Sequence, residues 1–438
     1  MEGKQTASSW RKVLAATAAA LMLTAAASPS PAQVSAGDVI TASNAAVVKD
    51  LVSPGVYYKL VQGLGMKISS TKRIDWPPPY KEATERWSGQ VRLGTDNRSL
   101  VGYAAGLPFP SIDANDRDVA TKIIWNSVFR PMMGDDYDLR YYVCDTTYSA
   151  RGGRAEPVDH FEIGHYAGYN LVGRTEVPPL PIDPNFRDSG RSWLFALYPV
   201  LAPAQHRGVG FIRHRYADAN KVDDGWGWSA GTRRVRRLSQ SMFSSGDTSS
   251  TAAFSWDPDH CSGFNAKTEL YDYRFIGQKQ MLASVNGDHP AEIRPSADGV
   301  GSSPIDGWQL RQLYVVEASP RGDLSDFGAI ESKTVIYVDA EMWFEPYIDS
   351  YDRMGQLFKN RIYWFSHCDR AVPDARVAIY PFRRLFLAGA LSTDVQSGRS
   401  AMCYLPGLET QERECWYINM GAVDKHFFTT AAMVNAAR

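Results

Sequence analysis

The stretch Asp223 to Leu238, DDGWGWSAGTRRVRRL, brings three kinds of chemistry together. Gly227, Trp228, Ser229, Ala230 and Gly231 spell Gly-x-Ser-x-Gly, the string in which a serine hydroxyl serves as a nucleophile. Such a serine needs a buried strand before it and a helix after it. Here Asp223, Asp224 and Gly225 precede it, which is turn chemistry, and Thr232 to Arg237 crowds charge where a helix would pack on a sheet. His260, His289, His367 and His426 offer a base, but eight histidines in 438 residues make a partner easy to find and so uninformative. A Ser229 hydrolase is the weakest expectation, and no catalytic residue is assigned.

The arginines of the same stretch have two uses. In a strand, Arg233, Val235 and Arg237 point one way while Arg234 and Arg236 point the other. They either pair with acidic neighbours or form a rim that receives an anionic head group through the fork of the guanidinium. Binding to nucleic acid needs basic and aromatic residues repeated over a basic domain. The cluster is isolated, and the chain has 47 Lys and Arg against 48 Asp and Glu. No nucleic-acid partner is expected.

His160, Glu162 and His165 suggest a metal by type but not by spacing. Strict alternation puts His160 and Glu162 on one face of a strand and His165 on the other, so they do not converge. Asp339, Glu341 and Glu345 fall on one face of a predicted strand, as a glycosidase pair would, yet a solvated strand face explains them equally well. There is no phosphate-binding loop and no dinucleotide fingerprint. Neither a metal nor a cofactor is expected. Of the five cysteines, Cys403 and Cys415 flank the turn-rich Leu405-Pro406-Gly407 and form the expected disulfide.

These residues need elements to hold them. Thr41 to Leu51 has helix character, with Pro54-Gly55 as its stop. The triple proline of Arg73 to Trp87 enforces an extended segment before a short helix from Tyr80. Gln90 to Leu93 and Ser99 to Ala104 read as a small hairpin, and Asp113 to Asn126 as a helix capped by Asp113 or Asn115. Strands dominate after that: Leu139 to Tyr148, Val158 to Val172, Ser192 to Leu201 and Gly208 to Tyr216. Ile336 to Glu345 alternates apolar and polar residues in the period of a half-buried strand, and an Asp349 to Gly355 turn returns it into Leu357 to Phe365. With few helices to cover such a sheet, a concave apolar face is an expected consequence.

The N-terminus predicts export. Lys4, Arg11 and Lys12 precede an apolar run, Val13 to Ala27, too short to span a bilayer, and small residues follow as cleavage sites. Residues 1–32 form the expected signal peptide, and residues 37–435 a single periplasmic domain. Residues 1–32 carry three positive charges and one negative, so the remainder stands at −3 rather than −1.

Several long segments together resemble a known family: Arg73 to Leu93 (RIDWPPPYKEATERWSGQVRL), Leu100 to Pro110 (LVGYAAGLPFP) and Asp118 to Asn126 (DVATKIIWN). Arg207 to Ser239, with its acidic turn, aromatic strand and Arg-Arg-Val-Arg-Arg, is similar too, as are YDYRFIGQKQM and AEMWFEPYIDSYDRMGQLFK. The chain is similar to the domain-of-unknown-function family 1329 of exported proteobacterial proteins, itself related to Lol-type lipoprotein carriers. The resemblance implies a mainly β (α+β) fold, a large curved antiparallel sheet or open half-barrel partly wrapped around a few helices. It also implies a periplasmic, non-enzymatic carrier of a lipid or other hydrophobic cargo, soluble or peripheral to the outer membrane. Partners would be an inner-membrane exporter and an outer-membrane protein; the alternative is a scaffold linking the two without cargo. The expected ligand-binding residues are Trp226, Trp228, Arg233, Arg234, Arg236 and Arg237.

Overall fold

A computed structural model describes residues 34–148, 156–229, 231–238, 263–286, 293–295, 302–304, 307–322, 331–370, 378–404 and 416–437. The expected signal peptide and Cys415 lie outside these residues.

One 14-stranded antiparallel sheet organises the protein. It is two meanders joined in the middle. The first runs outward from the centre: β1 (Asp136–Tyr148), β2 (Glu156–Asn170), β3 (Arg191–Ala202), β4 (Gly210–Tyr216), β5 (Asp224–Ser229) and β6 (Arg234–Arg237). The second starts at the opposite edge and runs inward: β7 (Tyr271–Ser284), β8 (Trp308–Pro320), β9 (Glu331–Asp339), β10 (Tyr347–Asp352), β11 (Leu357–Cys368), β12 (Arg384–Asp394) and β13 (Arg399–Tyr404). β13 pairs with β1, and short β14 (Trp416–Ile418) pairs with β1 beside it. The edges β6 and β7 do not pair with each other, so the curved sheet stays unclosed.

The central seam corrects the expected disulfide. Cys403 is bonded to Cys144, not to Cys415, with a Cα–Cα distance of 4.1 Å. The two residues are direct cross-strand partners in the β1–β13 register, and facing positions on antiparallel strands bring the sulfurs together. Proximity in sequence had favoured Cys415, whereas the pairing of distant strands selects Cys144.

Alternation puts apolar side chains on both faces. The inner face gathers Phe195 and Leu197 of β3, Ile336 and Val338 of β9, and Phe365 of β11 into the largest core cluster. Helices α1 (Pro54–Val61), α2 (Pro78–Trp87), α3 (Val119–Val128), α4 (Asn185–Ser189) and α5 (Thr430–Ala436) divide between the faces. Tyr80 of α2 and Ile123 of α3 fill the inner face. On the outer side, Val48, Val56 and Leu60 cover Leu313, Val315 and Tyr337 of the second meander. Phe428 and Met433 cover Leu194, Ala196 and Tyr198 of the first. Among the described residues no helix is long and apolar enough to cross a membrane.

Three local expectations change, each for a physical reason. Pro54 starts a helix instead of stopping one: it sits at N1, where its missing N–H costs nothing, behind Ser53, whose hydroxyl accepts from Val56 N. The helix predicted from Asp113 begins only at Val119, because the Asp113 and Asp116 carboxylates accept from Asn115 N and Asp118 N and tighten the preceding residues into turns. The alternating strand from Ile336 ends at Asp339, whose carboxylate accepts from Glu341 N at 2.9 Å and Met342 N at 2.7 Å. Trp343 follows with φ of 61°, and the turn still buries Met342, Trp343 and Phe344 in the inner core. The expected alternation of burial is lost as well: Tyr337, Asp339, Trp343 and Glu345 are buried along with the apolar positions.

Candidate functional site

At one end of the first meander the inner face opens into a cavity of about 410 Å³. Its apolar wall is aromatic and methionine-rich: Tyr103, Trp125, Phe129, Met132, Met133 and Tyr137. Trp125 and Phe129, one turn apart at the end of α3, stack at 5.9 Å, and Tyr103 lies 4.0 Å from Phe129. The hydroxyls face away from open space. Tyr80 donates to Phe129 O at 2.6 Å and Tyr103 to Gly106 O at 2.9 Å, so the rings offer carbon to the cavity. Burial pushes both phenols well above their ordinary value. Exposed Gly102 and Ala217 mark where the lining reaches the surface.

A second wall comes from the loop after β2. Asp135 accepts from Thr175 N, Glu176 N and Val177 N at 2.7, 2.7 and 2.8 Å, which pins this loop to the start of β1. Burial raises the Asp135 carboxyl in spite of these donors. Arg174, 1 % exposed, holds the loop from within by donating to Asn170 O and Pro179 O, both at 2.9 Å. Gly173 has φ of 80°, and a Cβ there would lie 2.9 Å from the Tyr103 hydroxyl. Glycine is required where loop and aromatic wall meet.

The remaining wall is charged. Arg215 points inward from β4, where the cross-strand neighbour of Trp193 belongs, and bonds Asp223 at 3.1 Å and Asn265 Oδ1 at 3.0 Å. Lys267 donates to the main-chain oxygens of Asp218 and Lys221. Burial lowers its ammonium and raises the carboxyl of nearby Glu269, each shift opposed by the charge of the other. Arg384 of β12 pairs with Glu176 at 2.7 Å. A hollow of this size, with an aromatic wall facing a charged one, is a candidate small-molecule site.

The residues expected at the site lie elsewhere. Trp226 and Trp228 are on the outer face: their partners in β4 are Ile212 and Gly210, and both pack on the cluster covered by the C-terminal segment. Trp226 meets His214 edge-on at 5.0 Å. Arg234, Arg236 and Arg237 form the exposed edge strand β6, with Arg233 in the turn before it, and Arg237 bonds Asp224. None of the six is among the described residues lining the cavity. Ser229 ends β5 and leads through a turn into β6, a hairpin instead of the strand-to-helix elbow a nucleophile needs.

His160 and His165 do share a face, against expectation. Phe161, Ile163 and Tyr166 all belong to the inner core, so the alternation slips between Ile163 and Tyr166. Opposite, Tyr141 has φ of 59°, and the pairing passes from Arg140–His165 directly to Tyr142–Ile163. The slip returns His165 to the outer face, where it bonds Asp138 at 2.9 Å while His160 bonds Asp145 at 2.7 Å. Among the described residues no group of His, Cys, Asp and Glu could hold a metal ion. Asp339 and Glu345 are not a solvated face either. Asp339 is fully buried against Arg311 at 2.7 and 3.0 Å, and Glu345 accepts from Ser127 Oγ at 2.6 Å.

The lining that the sequence did not reveal had one visible trace. In Phe211, Arg213 and Arg215, charge occupies alternate positions that begin apolar, which marks polar work on a buried face.

Similar solved structures, all of low identity, include an outer-membrane lipoprotein-sorting protein domain from Vibrio parahaemolyticus. It is 14% identical, covering 69% of this chain and 92% of its own, with a TM-score of 0.41. A DUF1329 family protein from Desulfovibrio piger is 15% identical over 68% of this chain and 92% of its own, TM-score 0.40. A LolA superfamily protein from Nitrosomonas europaea is 11% identical over 72% of this chain and 98% of its own, TM-score 0.37. No curated protein matches the sequence. A family model described as "Protein of unknown function (DUF1329)" matches residues 39–434, and the chain belongs to that family.

Proposed function

We propose that this protein is a periplasmic carrier that holds a hydrophobic molecule in the cavity beside α3 and serves an export system between the two membranes. The cavity itself carries the proposal: about 410 Å³ of space walled by Tyr103, Phe129, Met132, Met133 and Tyr137, with the Tyr103 hydroxyl turned away onto Gly106 O. Removing acyl carbon from water there supplies about 0.8 kcal/mol per methylene. Methionines adapt to irregular apolar shapes, which suits a chain more than a rigid ring.

The test is occupancy. Protein purified from its native compartment is examined by native mass spectrometry and then by solvent extraction. A neutral apolar fluorophore such as Nile red is titrated into emptied protein. Co-purified hydrophobic molecules and saturable uptake are expected. Met132→Trp and Val172→Trp, each filling the cavity from a different wall, are expected to abolish uptake while circular dichroism stays unchanged. Uptake that survives both substitutions would move the binding site away from this cavity.

A further inference from the structure

The charged wall says what kind of molecule the cavity takes, on the reading that it is a carrier site. Arg215 is bonded to one carboxylate, Asp223, which also bonds Arg213, and it donates as well to the neutral side-chain and main-chain oxygens of Asn265. Lys267, 4 % exposed, is held by the neutral main-chain oxygens of Asp218 and Lys221. Arg213, Arg215 and Lys267 thus gather three cations around two buried carboxylates, Asp223 and Glu269. Arg384, 2 % exposed, gives its terminal nitrogens to Glu176 and leaves Nε buried with no acceptor.

The carboxylates on the lining are committed differently. Asp135 is occupied by three backbone donors, and Glu176 by Arg384. Glu269 stands beside Lys267, and burial drives both towards their neutral forms. Buried positive charge without an equal partner is costly, and an anion arriving with the ligand relieves that cost. A cationic head group would meet the opposite balance, and a neutral one would leave the donors unused.

We infer that the cargo is an amphiphile with one acidic head group, a carboxylate or a phosphate, which docks on the wall of Arg215 and Lys267 while its apolar body lies along Phe129, Met133 and Tyr137. Arg and Lys are the side chains that bind such groups, and charge-assisted bonds in a buried site are the strong ones. Glu269 opposes the head group and sets how tightly it is held.

Isothermal titration of emptied, full-length mature protein near neutral pH compares decanoate, decyl phosphate and decanol. At least one acid is expected to bind about tenfold or more tighter than the alcohol, the range of one charge-assisted bond. The stronger of the two identifies the head group. Lys267→Met is expected to remove the preference with decanol affinity unchanged, and Glu269→Gln to strengthen acid binding severalfold without touching decanol. Should Lys267→Met fail to fold, the wild-type preference and the near-isosteric Glu269→Gln still decide. Millimolar inorganic phosphate is expected to leave decanoate bound; competition by it would make this a site for a free anion and overturn the inference. Equal affinity for acids and alcohol, or a Glu269→Gln effect shared by all three, would also overturn it. Alcohol binding with no acid preference leaves the carrier reading standing, whereas no binding by any of the three removes both.

Discussion

Burying a carboxylate under a helix start has a consequence measurable by pH. Asp349 of β10 is fully buried and accepts from Gly55 N at 3.0 Å, Asn360 Nδ2 at 2.8 Å and Ser53 Oγ at 3.2 Å. It anchors α1 to the outer face, and glycine at position 55 lets the helix approach that closely. Burial lifts its carboxyl to about 6, with the hydrogen bonds opposing the lift. The folded protein therefore holds this proton more tightly than the unfolded chain does. Stability from this group rises as pH falls from about 6 to about 4, and the burden is fully present above the folded value. A shift of about two units corresponds to about 3 kcal/mol. Urea unfolding of the wild type and Asp349→Asn between about pH 7 and pH 4.5 should show the wild type gaining on the variant as pH drops. A difference between them that does not vary with pH would mean that Asp349 does not titrate in this range. Sequence could not have singled this residue out, since it read as the first residue of a turn, and only the arrival of α1 from nearly 300 positions away buries it.

Elements were more legible than the way they join. β-favouring residue types located β1 to β4 of the first meander, and alternation located β9 and β11 of the second, but β7, β8, β12 and β13 were not read as strands and part of β10 was read as a turn. Alternation failed where the backbone departs from the pleat: the Asp339 turn buries Met342, Trp343 and Phe344 in succession, and the slip at Tyr141 and Ile163–Tyr166 moved His165 across the sheet. It was silent on the seam, since β1 and β13 carry no mark that they are partners. The disulfide closes that seam across a sequence separation of 259. Cross-linking such distant positions restricts the unfolded chain strongly, so reduction or Cys144→Ser is expected to cost about 2–5 kcal/mol in urea unfolding. Non-reducing peptide mapping should recover the Cys144 and Cys403 peptides joined. Recovery of a Cys403–Cys415 peptide in their place would contradict the β1–β13 seam. Losing the bridge should loosen both meanders together, because each has its innermost strand there.

At the scale of the molecule the two faces of the sheet have separate duties. The outer face is closed by the two ends of the described chain: the segment around α1 covers the second meander, and the segment around α5 covers the first. The inner face holds α2, α3 and the cavity. This division explains why the most conspicuous sequence stretch lies away from the cavity. Its tryptophans are prominent because they seal the outer face beside α5, and its arginines because they charge an open edge, which discourages strand addition from another chain. The cavity wall instead uses scattered residues, Phe129 and Arg215 and Lys267 and Arg384, which only the fold assembles. The two duties should separate by mutation. Replacing Trp226 and Trp228 by Ala removes packing against Ile212 and the C-terminal segment, and is expected to lower stability by about 1–3 kcal/mol. Uptake of an apolar probe should persist at temperatures where the variant is folded. Weakened uptake with unchanged stability would reverse the assignment and put the cargo on the outer face, beneath α5, where these two indoles would be its contacts.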